Sequence, residues 1–236
     1  MNEFADWLQF ILDVQVTPAS LSALVTYENE LLAWNERMNL TAIKEPGVIW
    51  VKHFLDSLTC LLAMRNTPME RVIDIGTGAG FPGLPLKIVC PSMQLTLVES
   101  VGKKAAFCRH MVQVLDLKDV EVVQERAEVL GQDPRYRESY DWAVTRAVAM
   151  MPVLAEYQLP LVRLGGSMLA MKGENASAEV HMAENALRLM GGHFQRLIPI
   201  TLPGVADQRY LVVINKNHAT PQKYPRRPGM PAKKPL

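Results

Sequence analysis

A glycine-rich turn between an apolar strand and a helix is the feature that most constrains this chain. Residues 71–85 read RVIDIGTGAGFPGLP, so a short apolar run leads into Gly76, Gly78 and Gly80. Glycine adopts positive φ without strain and, lacking a Cβ, lets a ligand approach the backbone closely. Pro82 suits the first turn of a helix, where a missing N–H costs nothing. The stretch therefore predicts a strand, a turn that can hold a nucleotide-like ligand, and a helix.

The same turn matches two kinds of cofactor site. Counted from Gly78, it fits the dinucleotide pattern, and Glu99 closes the next apolar run near the distance at which an acid binds ribose hydroxyls. Counted from Asp74, it reads Asp-x-Gly-x-Gly-x-Gly, the pattern of folds that bind S-adenosylmethionine (SAM). The turn by itself leaves both cofactors open, together with a tight turn that binds nothing.

Composition favours a single α/β domain with additions. A chain of 236 residues can bury one sizeable core, and the three cysteines are scattered without metal-ligand spacing. Unpaired cysteines favour a reducing compartment. The first residues are acidic where a signal peptide would be basic, and we expect no apolar run that approaches the span of a bilayer. These features predict a cytoplasmic protein without a metal site.

Hydrophobic periodicity predicts a helical first third, followed by alternating strands and helices. Apolar residues keep helical spacing over about 4–12, 18–38 and 46–64. Further along the chain, the predicted strands are 71–76, 94–99, 119–124, 140–145 and 167–172. The predicted helices are 83–89, 102–115, 126–130, 152–163 and 176–190. This alternation is typical of a parallel sheet with right-handed crossovers.

Two more predicted strands complete the sheet and suggest its class. Strands 193–200 and 209–215 are joined only by a loop, so we expect an antiparallel pair at one sheet edge. A seven-stranded, mostly parallel sheet with an antiparallel last strand is the Rossmann-like arrangement of class I SAM-dependent methyltransferases. The predicted organisation has three parts: an N-terminal helical extension (1–66), a SAM-binding core (67–216) and a C-terminal arm (217–236).

The C-terminal arm has an unusual composition. Residues 216–236 hold six of the 25 Lys and Arg residues, none of the 24 Asp and Glu residues, and five prolines. Such a segment is predicted to be extended, without a helix or a central strand. Cations mixed with a tyrosine suit phosphate attraction and stacking on an unpaired base, whereas an inert tail is the alternative.

Six short motifs together resemble one family, the ribosomal RNA small subunit methyltransferases G, also called the glucose-inhibited division protein B family. The motifs are NLT at 39–41, KHFLDS at 52–57, DIGTGAGFPG at 74–83, TRA at 145–147, KG at 172–173 and YPRRPG at 224–229. The resemblance covers nearly the whole chain. It implies transfer of the SAM methyl group to N7 of one guanosine in the decoding-region loop of 16S rRNA, within the small ribosomal subunit or its precursor.

The resemblance also implies a cofactor pocket. Its residues would be Gly76, Phe81, Ala127, Glu128 and Arg146. Ala127 and Glu128 would lie where the adenine edge is recognised, and Arg146 would hold the methionine carboxylate or an RNA phosphate. Sequence spacing adds Gly78 in the turn and Glu99, whose carboxylate is expected to bind the ribose hydroxyls.

Further candidates lie outside this pocket. His53, Asp56 and Ser57 share one helix face, so His53 is a positioning candidate, with a satisfied polar face as the alternative. Lys172 and Arg209 are candidate phosphate contacts. Of the two, Lys172 is favoured because it lies at the carboxyl end of a strand. The candidate RNA contacts of the arm are Lys223, Tyr224, Arg226 and Arg227.

The implied reaction needs no acid or base. Guanine N7 is an acceptor with a free lone pair and no proton, so we assign no catalytic acid or base. Two other functions stay open at this level. An NAD-dependent oxidoreductase would use the glycine turn and Glu99 equally well, and a non-catalytic RNA-binding ribosome-assembly factor could keep the fold as a scaffold only.

Overall fold

The computed structural model of the chain describes residues 2–236 and is built around a seven-stranded sheet. The strands are β1 (Arg71–Ile75), β2 (Gln94–Val98), β3 (Val120–Val123), β4 (Tyr140–Arg146), β5 (Val162–Lys172), β6 (Gly192–Ile200) and β7 (Arg209–Lys216). Their order across the sheet is β3-β2-β1-β4-β5-β7-β6. The pairs among β1 to β5 are parallel, whereas β7 runs antiparallel to both β5 and β6. The predicted mixed sheet is therefore confirmed.

The helices cover both faces of this sheet. Those before it are α1 (Asn2–Trp7), which continues into a π-helical turn at Leu8–Leu12, α2 (Pro18–Met38), α3 (Pro46–Ile49), a π-helical stretch at Trp50–Leu55, α4 (Asp56–Leu58) and α5 (Leu61–Met64). Those within and after it are α6 (Gly83–Val89), α7 (Gly102–Val114), α8 (Ala127–Leu130), α9 (Met151–Gln158), α10 (Ala176–Met182), α11 (Glu184–Met190) and α12 (Met230–Lys233). The alternation predicted from residue 71 onward is confirmed.

The largest difference from the predicted boundaries lies at β5. This strand begins at Val162 rather than at 167, and the preceding helix ends at Gln158. The register with β4 is irregular, because Tyr140 pairs with Val162 while Trp142 pairs with Ser167. Gly165, with φ of +76°, lies between these two paired positions of β5. A bulge of this kind interrupts the apolar pattern, so periodicity alone finds only the second half of the strand.

The N-terminal helices share a hydrophobic core with the sheet. Phe4, Leu8 and Leu12, three residues of the predicted apolar face, are buried. They belong to one cluster that continues through the helices into the sheet as far as Val213. A second cluster, on the opposite face, joins the sheet to α9 and α11. The architecture is therefore a sheet between two helical layers.

The stretch Pro46–Met64 departs from the sequence-based expectation. It is long and apolar enough, by length and composition alone, to cross a membrane, so the expectation that no run approaches this span was wrong. In the structure, 67% of that window is buried, and Phe54, Leu55 and Leu58 lie in the first hydrophobic cluster. Burial of this degree accounts for the apolar composition, because the stretch packs between the sheet and other helices.

The C-terminal arm is folded onto the core, contrary to the predicted extended arm. It ends in α12, whose Pro231 lies in the first turn, where proline is tolerated. The Arg137 side chain donates hydrogen bonds to the main-chain carbonyls of Thr220 and Tyr224, at 2.7 and 2.8 Å. Polar groups of the core thus satisfy the backbone of a segment that makes few hydrogen bonds within itself.

Candidate functional site

The glycine turn follows β1 and has the predicted backbone. Gly76, Gly78 and Gly80 have φ values of +67°, +62° and +96°, which other residues adopt only with strain. A Cβ on Gly76 would lie 2.5 Å from Val148 Cγ2, so there is also no room for a side chain at this position. At Gly78 nothing lies within 4 Å of an added Cβ, which leaves the outer side of the turn open.

The Asp74 side chain binds this turn through hydrogen bonds. Its Oδ2 accepts hydrogen bonds from Thr77 Oγ1 at 2.6 Å and from the Gly83 N–H at 2.9 Å, so one carboxylate holds both ends of the turn. Burial raises the pKa of Asp74 to about 6, although these two hydrogen bonds act in the opposite direction. The acid of the Asp-x-Gly pattern therefore shapes the turn and is fully buried beneath it.

Glu99 follows β2 and contacts the same turn. Its Oε2 accepts from the Gly78 N–H at 3.0 Å, and its Oε1 accepts from the Val101 N–H at 2.8 Å. A carboxylate has about four lone-pair positions, so about two of them remain for other donors. The structure brings Glu99 to the turn as the spacing required, and its binding to ribose hydroxyls stays a prediction.

A cavity of about 260 Å³ opens beside the turn, and we call it the turn cavity. It lies at the carboxyl ends of β1 to β4, where open α/β sheets bind ligands. Gly76, Ala127 and Glu128, predicted from the sequence, line it, together with Val148 and Tyr157. Apolar walls with a few polar groups suit an adenosine. Val148 already occupies the space in which a Cβ of Gly76 would lie, so the cavity wall is closely packed at this point. The residues of the lining fit SAM.

A second cavity, of about 280 Å³, lies on the other side of residues 147–149, and we call it the ion-pair cavity. Its lining contains acids and bases together: Asp56, Arg146, Lys172, Glu179, Asp207 and Arg209. Ala147 also lines it and has φ of +56°, whereas Val148 and Ala149 line the turn cavity. Positive φ at a residue with a Cβ stores strain, and such strain clusters at functional sites.

Arg146 lines the ion-pair cavity and makes several contacts there. Its Nη1 donates to Asp56 Oδ2 at 3.0 Å and to the Lys52 carbonyl at 3.1 Å, and its Nη2 donates to His53 Nδ1 at 3.2 Å. The guanidinium lies 4.9 Å from the centre of the Phe81 ring, within cation–π range. An arginine has five N–H groups, so about two remain free for a ligand. Its binding to the cofactor or to RNA stays a prediction.

His53 is held as a neutral, positioned ring. Its Nε2 lies 2.8 Å from Thr41 Oγ1, its Nδ1 accepts from Arg146, and its ring stacks on Phe81 with centres 4.5 Å apart. Burial lowers the pKa of His53 to about 3, and the Arg146 charge acts in the same direction. Both ring nitrogens are engaged, so His53 fixes Arg146 and Phe81 and has no free nitrogen for proton transfer.

Of the two cations predicted to contact phosphate, Arg209 is more exposed than Lys172, although the sequence favoured Lys172. Lys172 donates to Glu179 Oε2 at 2.6 Å and to the Ala149 carbonyl at 2.7 Å, and its side chain is only 10% exposed. It is therefore not a free phosphate contact. Arg209 lies 3.3 Å from Asp56 Oδ2 and is 26% exposed, so it is the more accessible of the two. The argument from the carboxyl end of the strand did not take account of Glu179 on α10, and phosphate contact by either cation stays a prediction.

Two of the four arm residues are not presented to RNA. Tyr224 is 8% exposed and packs in the second hydrophobic cluster, so it cannot stack on a base in this conformation. Arg226 pairs with Glu156, at 2.7 Å between Nη2 and Oε2. Composition reveals nothing of the buried acid that binds Arg226, and contact of either residue with RNA stays a prediction that this conformation does not support. Lys223 and Arg227 are exposed, and their contact with RNA stays a prediction.

Known proteins that are similar in sequence share one family. The family profile described as rRNA small subunit methyltransferase G matches residues 20–201. The chain belongs to this family. A ribosomal RNA small subunit methyltransferase G from Roseiflexus castenholzii is 55% identical over 210 residues, which cover 89% of each chain. One from Alkaliphilus metalliredigens is 45% identical over 225 residues, covering 95% of this chain and 94% of the relative.

Solved structures agree with the fold of this methyltransferase G family member. A SAM-dependent methyltransferase from Aquifex aeolicus is 17% identical, with a TM-score of 0.52 over 72% of this chain and 93% of that one. TrmN from Thermus thermophilus is 18% identical, with a TM-score of 0.52 over 68% of this chain and 48% of that one. The class I methyltransferase fold is thereby confirmed, and the cofactor of the family is SAM.

The sequence patterns missed several residues that form the site of this family member. Val148, Tyr157 and Ala232 line the turn cavity, and Glu156 binds the arm beside it. Only Glu156 carried a signal, because it is a single acid in the otherwise uncharged helix MPVLAEYQ. A charge in such a helix requires a partner when it is buried. Ala232 lies 75 residues or more from the rest of the lining, and no periodicity connects it to the turn.

Proposed function

We propose that this chain transfers the methyl group of SAM to N7 of one guanosine in the decoding-region loop of 16S rRNA. Relatives of 43–55% identity are named as methyltransferases of small-subunit ribosomal RNA, which supports the substrate class. The observation that carries the proposal is the pair of cavities that flank residues 147–149, one against the glycine turn and one lined by ion pairs. Two adjacent cavities suit a reaction that joins two ligands.

The turn cavity would hold the cofactor. Gly76, Ala127 and Glu128 line it. Gly78 and Glu99 lie outside that lining but next to it along the chain, and the unused lone pairs of Glu99 would accept from the ribose hydroxyls. When bound, SAM supplies a methyl group on a positively charged sulfur. The residues of the chain orient the ligand and exclude water around it, and such positioning lowers a barrier by about 7 to 11 kcal/mol in favourable cases.

The ion-pair cavity would receive the guanine. Guanine offers O6 and N7 as acceptors along its major-groove edge and donors along its Watson–Crick edge. Arg146 and Arg209 can face the acceptors, and carboxylates of the same cavity can face the donors. N7 has no proton to remove, which agrees with a His53 whose two nitrogens are both engaged. The proposed reaction therefore depends on alignment and needs no catalytic base.

The substrate in the cell would be 16S rRNA in the small ribosomal subunit or its precursor, in the cytoplasm. The exposed Lys223 and Arg227 of the arm are candidate phosphate contacts. We expect no metal ion in the reaction. Among residues 2–236 there is no group of three or more His, Cys, Asp or Glu side chains that could hold one.

The reaction can be tested on ribosomal particles. Small-subunit particles from a strain that lacks the gene would be incubated with the protein and tritium-labelled SAM, and the modified base would be mapped in the purified 16S rRNA. We expect one labelled guanosine in the decoding region, and restoring the gene should block further labelling. SAM binding without methyl transfer would instead support the non-catalytic assembly factor.

The cofactor can be tested separately by isothermal titration. We expect heat of binding with SAM and none with NAD, because the family is one of SAM-dependent methyltransferases. Binding of NAD with no response to SAM would support the oxidoreductase and contradict the proposal.

A further inference from the structure

The C-terminal arm reaches the turn cavity. Ala232, in α12, lines this cavity together with Gly76 and Tyr157 of α9. The rest of the Ala232 surface is exposed to solvent. The cavity volume of about 260 Å³ is slightly below the roughly 300–1,000 Å³ of most ligand pockets, as expected if the arm closes one side of it.

A buried ion pair fixes the arm in this position. The Glu156 side chain is 1% exposed, and among residues 2–236 its carboxylate accepts only from Arg226: from Nε at 2.9 and 3.1 Å, from Nη2 at 2.7 Å and from the main-chain N–H at 2.7 Å. With the arm in place the Glu156 carboxylate is buried, and the Arg226 guanidinium offsets the cost of burying its charge. Arg226 Nη2 also donates to the Lys234 carbonyl at 2.8 Å, so one guanidinium ties α9 to the end of α12.

A second contact joins the arm directly to a residue of the turn cavity. The Gly229 N–H donates to Glu128 Oε1 at 2.8 Å, and Gly229 has φ of +81°, which a glycine tolerates. Glu128 is buried and lines the cavity through α8. The position of the arm and the position of the wall at Glu128 are therefore mechanically linked.

We propose that the arm is the outer wall of the cofactor cavity, and that Arg226 and Glu156 are positioning residues for cofactor binding. This inference rests on the proposed assignment of the turn cavity to SAM. It replaces RNA contact as the function of Arg226. It also predicts that the arm affects SAM affinity, where the sequence had indicated RNA affinity only.

The test adds bulk to the wall from each side. Ala232→Trp would fill the cavity from the arm, Val148→Trp would fill it from the core, and Lys233→Trp adds the same ring to the neighbouring exposed position outside the lining. SAM affinity would be measured by isothermal titration and folding by Tm. We expect Ala232→Trp and Val148→Trp to weaken SAM binding by at least about tenfold, and Lys233→Trp to bind normally.

The outcomes separate the two proposals. Normal binding by Ala232→Trp with weak binding by Val148→Trp would overturn the arm as a wall and leave the cofactor cavity in place. Normal binding by both variants would overturn the cavity assignment, and the inference with it. Because Ala232 is exposed and Val148 is 37% exposed, neither variant opens or overfills the hydrophobic core.

A second measurement tests positioning by the ion pair. Arg226→Gln should raise the KM for SAM more than it lowers kcat in methyl transfer to small-subunit particles, because saturating SAM compensates for a displaced wall. Arg226→Lys should restore part of the affinity, since lysine keeps the charge but not the two-pronged geometry. A lower Tm with an unchanged KM for SAM would show a purely structural ion pair and overturn the positioning inference.

Discussion

Single residues of the glycine turn carry different constraints, although they belong to one motif. At Gly76 both the backbone and the space require glycine, because φ is +67° and Val148 lies 2.5 Å from the position of a Cβ. At Gly78 only the backbone requires it, because φ is +62° and the surroundings are open. At His53 the constraint is electrostatic, since burial and Arg146 favour the neutral ring.

Substitution of Gly76 or Gly78 by alanine should give two different results. Gly76→Ala should weaken SAM binding strongly, because it adds a clash in the cavity wall to the strain of about 1–2 kcal/mol for a left-handed residue. Gly78→Ala should show the strain alone, as a lower free energy of unfolding with a smaller loss of affinity. Urea unfolding and isothermal titration would measure both. Equal losses of affinity in the two variants would contradict a steric function for Val148.

His53 predicts a dependence of stability on pH. The ring titrates near 6.5 in the unfolded chain and near 3 in the folded one, so below 6.5 the unfolded state binds the extra proton. Stability should therefore be fully present above pH 6.5 and fall by up to about tenfold in the folding equilibrium per pH unit toward pH 3. His53→Gln should lose less stability than the parent protein between pH 7 and 4.5 in urea unfolding.

Asp74 provides the opposite control. Its folded pKa of about 6 lies above the usual 3.8, so its protonation favours the folded state as pH falls through this window. Asp74→Asn should therefore lose more stability than the parent protein between pH 7 and 4.5. The same pH dependence in both variants would contradict the assigned charge states.

At the scale of elements, ion pairs connect segments that are far apart in the chain. Asp56, in α4, binds Arg146 at the end of β4 and Arg209 at the start of β7. Its side chain is buried, whereas both arginines keep partial exposure. The carboxylate thus holds the N-terminal helices against the carboxyl-end edge of the sheet, where the ion-pair cavity lies.

Removal of the Asp56 charge should loosen this edge. Asp56→Ala leaves two guanidiniums without their shared acid, and we expect a loss of about 3 kcal/mol in the free energy of unfolding, the lower end for a broken buried pair. Asp116→Asn, which removes an exposed acid paired with Lys118, is the matched control and should leave stability unchanged. Chemical denaturation would measure both, and equal stability of the two variants would contradict the structural importance of Asp56.

At the scale of the molecule, the N-terminal helices and the sheet form one core. The first hydrophobic cluster extends from Phe4 to Val213, so the helical extension buries its apolar faces against the methyltransferase core. Phe54 is central, because its ring contacts Tyr27 of α2 and Phe81 of the turn, at centre distances of 5.3 and 6.1 Å. The extension and the cofactor turn should therefore depend on each other for stability.

This shared core predicts one cooperative unfolding transition. Tryptophan fluorescence mainly reports the extension, through Trp7, Trp34 and Trp50, whereas far-ultraviolet circular dichroism reports the whole chain. The two signals should coincide in urea. Phe54→Ala should shift both together by about 3–5 kcal/mol, as expected for a large core truncation. Separate transitions for the two signals would contradict a single core.

The sequence by itself determined the order of the elements, the glycine turn and the class of the sheet. These follow from local chemistry, because periodicity reflects burial along one element and glycine reflects backbone shape at one position. Glu99 was also predictable, since its distance along the chain from the turn is fixed by one crossover.

Only the tertiary structure decided which charges pair and which surfaces meet. Arg226, Lys172 and Arg146 all resembled free cations in the sequence, yet each binds an acid on another element, which for Arg226 and Arg146 is distant along the chain. Composition also predicted an extended arm, whereas the structure folds it against the turn cavity. The physical reason is that charge pairing depends on distance in space and on burial, and neither is encoded in the local pattern of the chain.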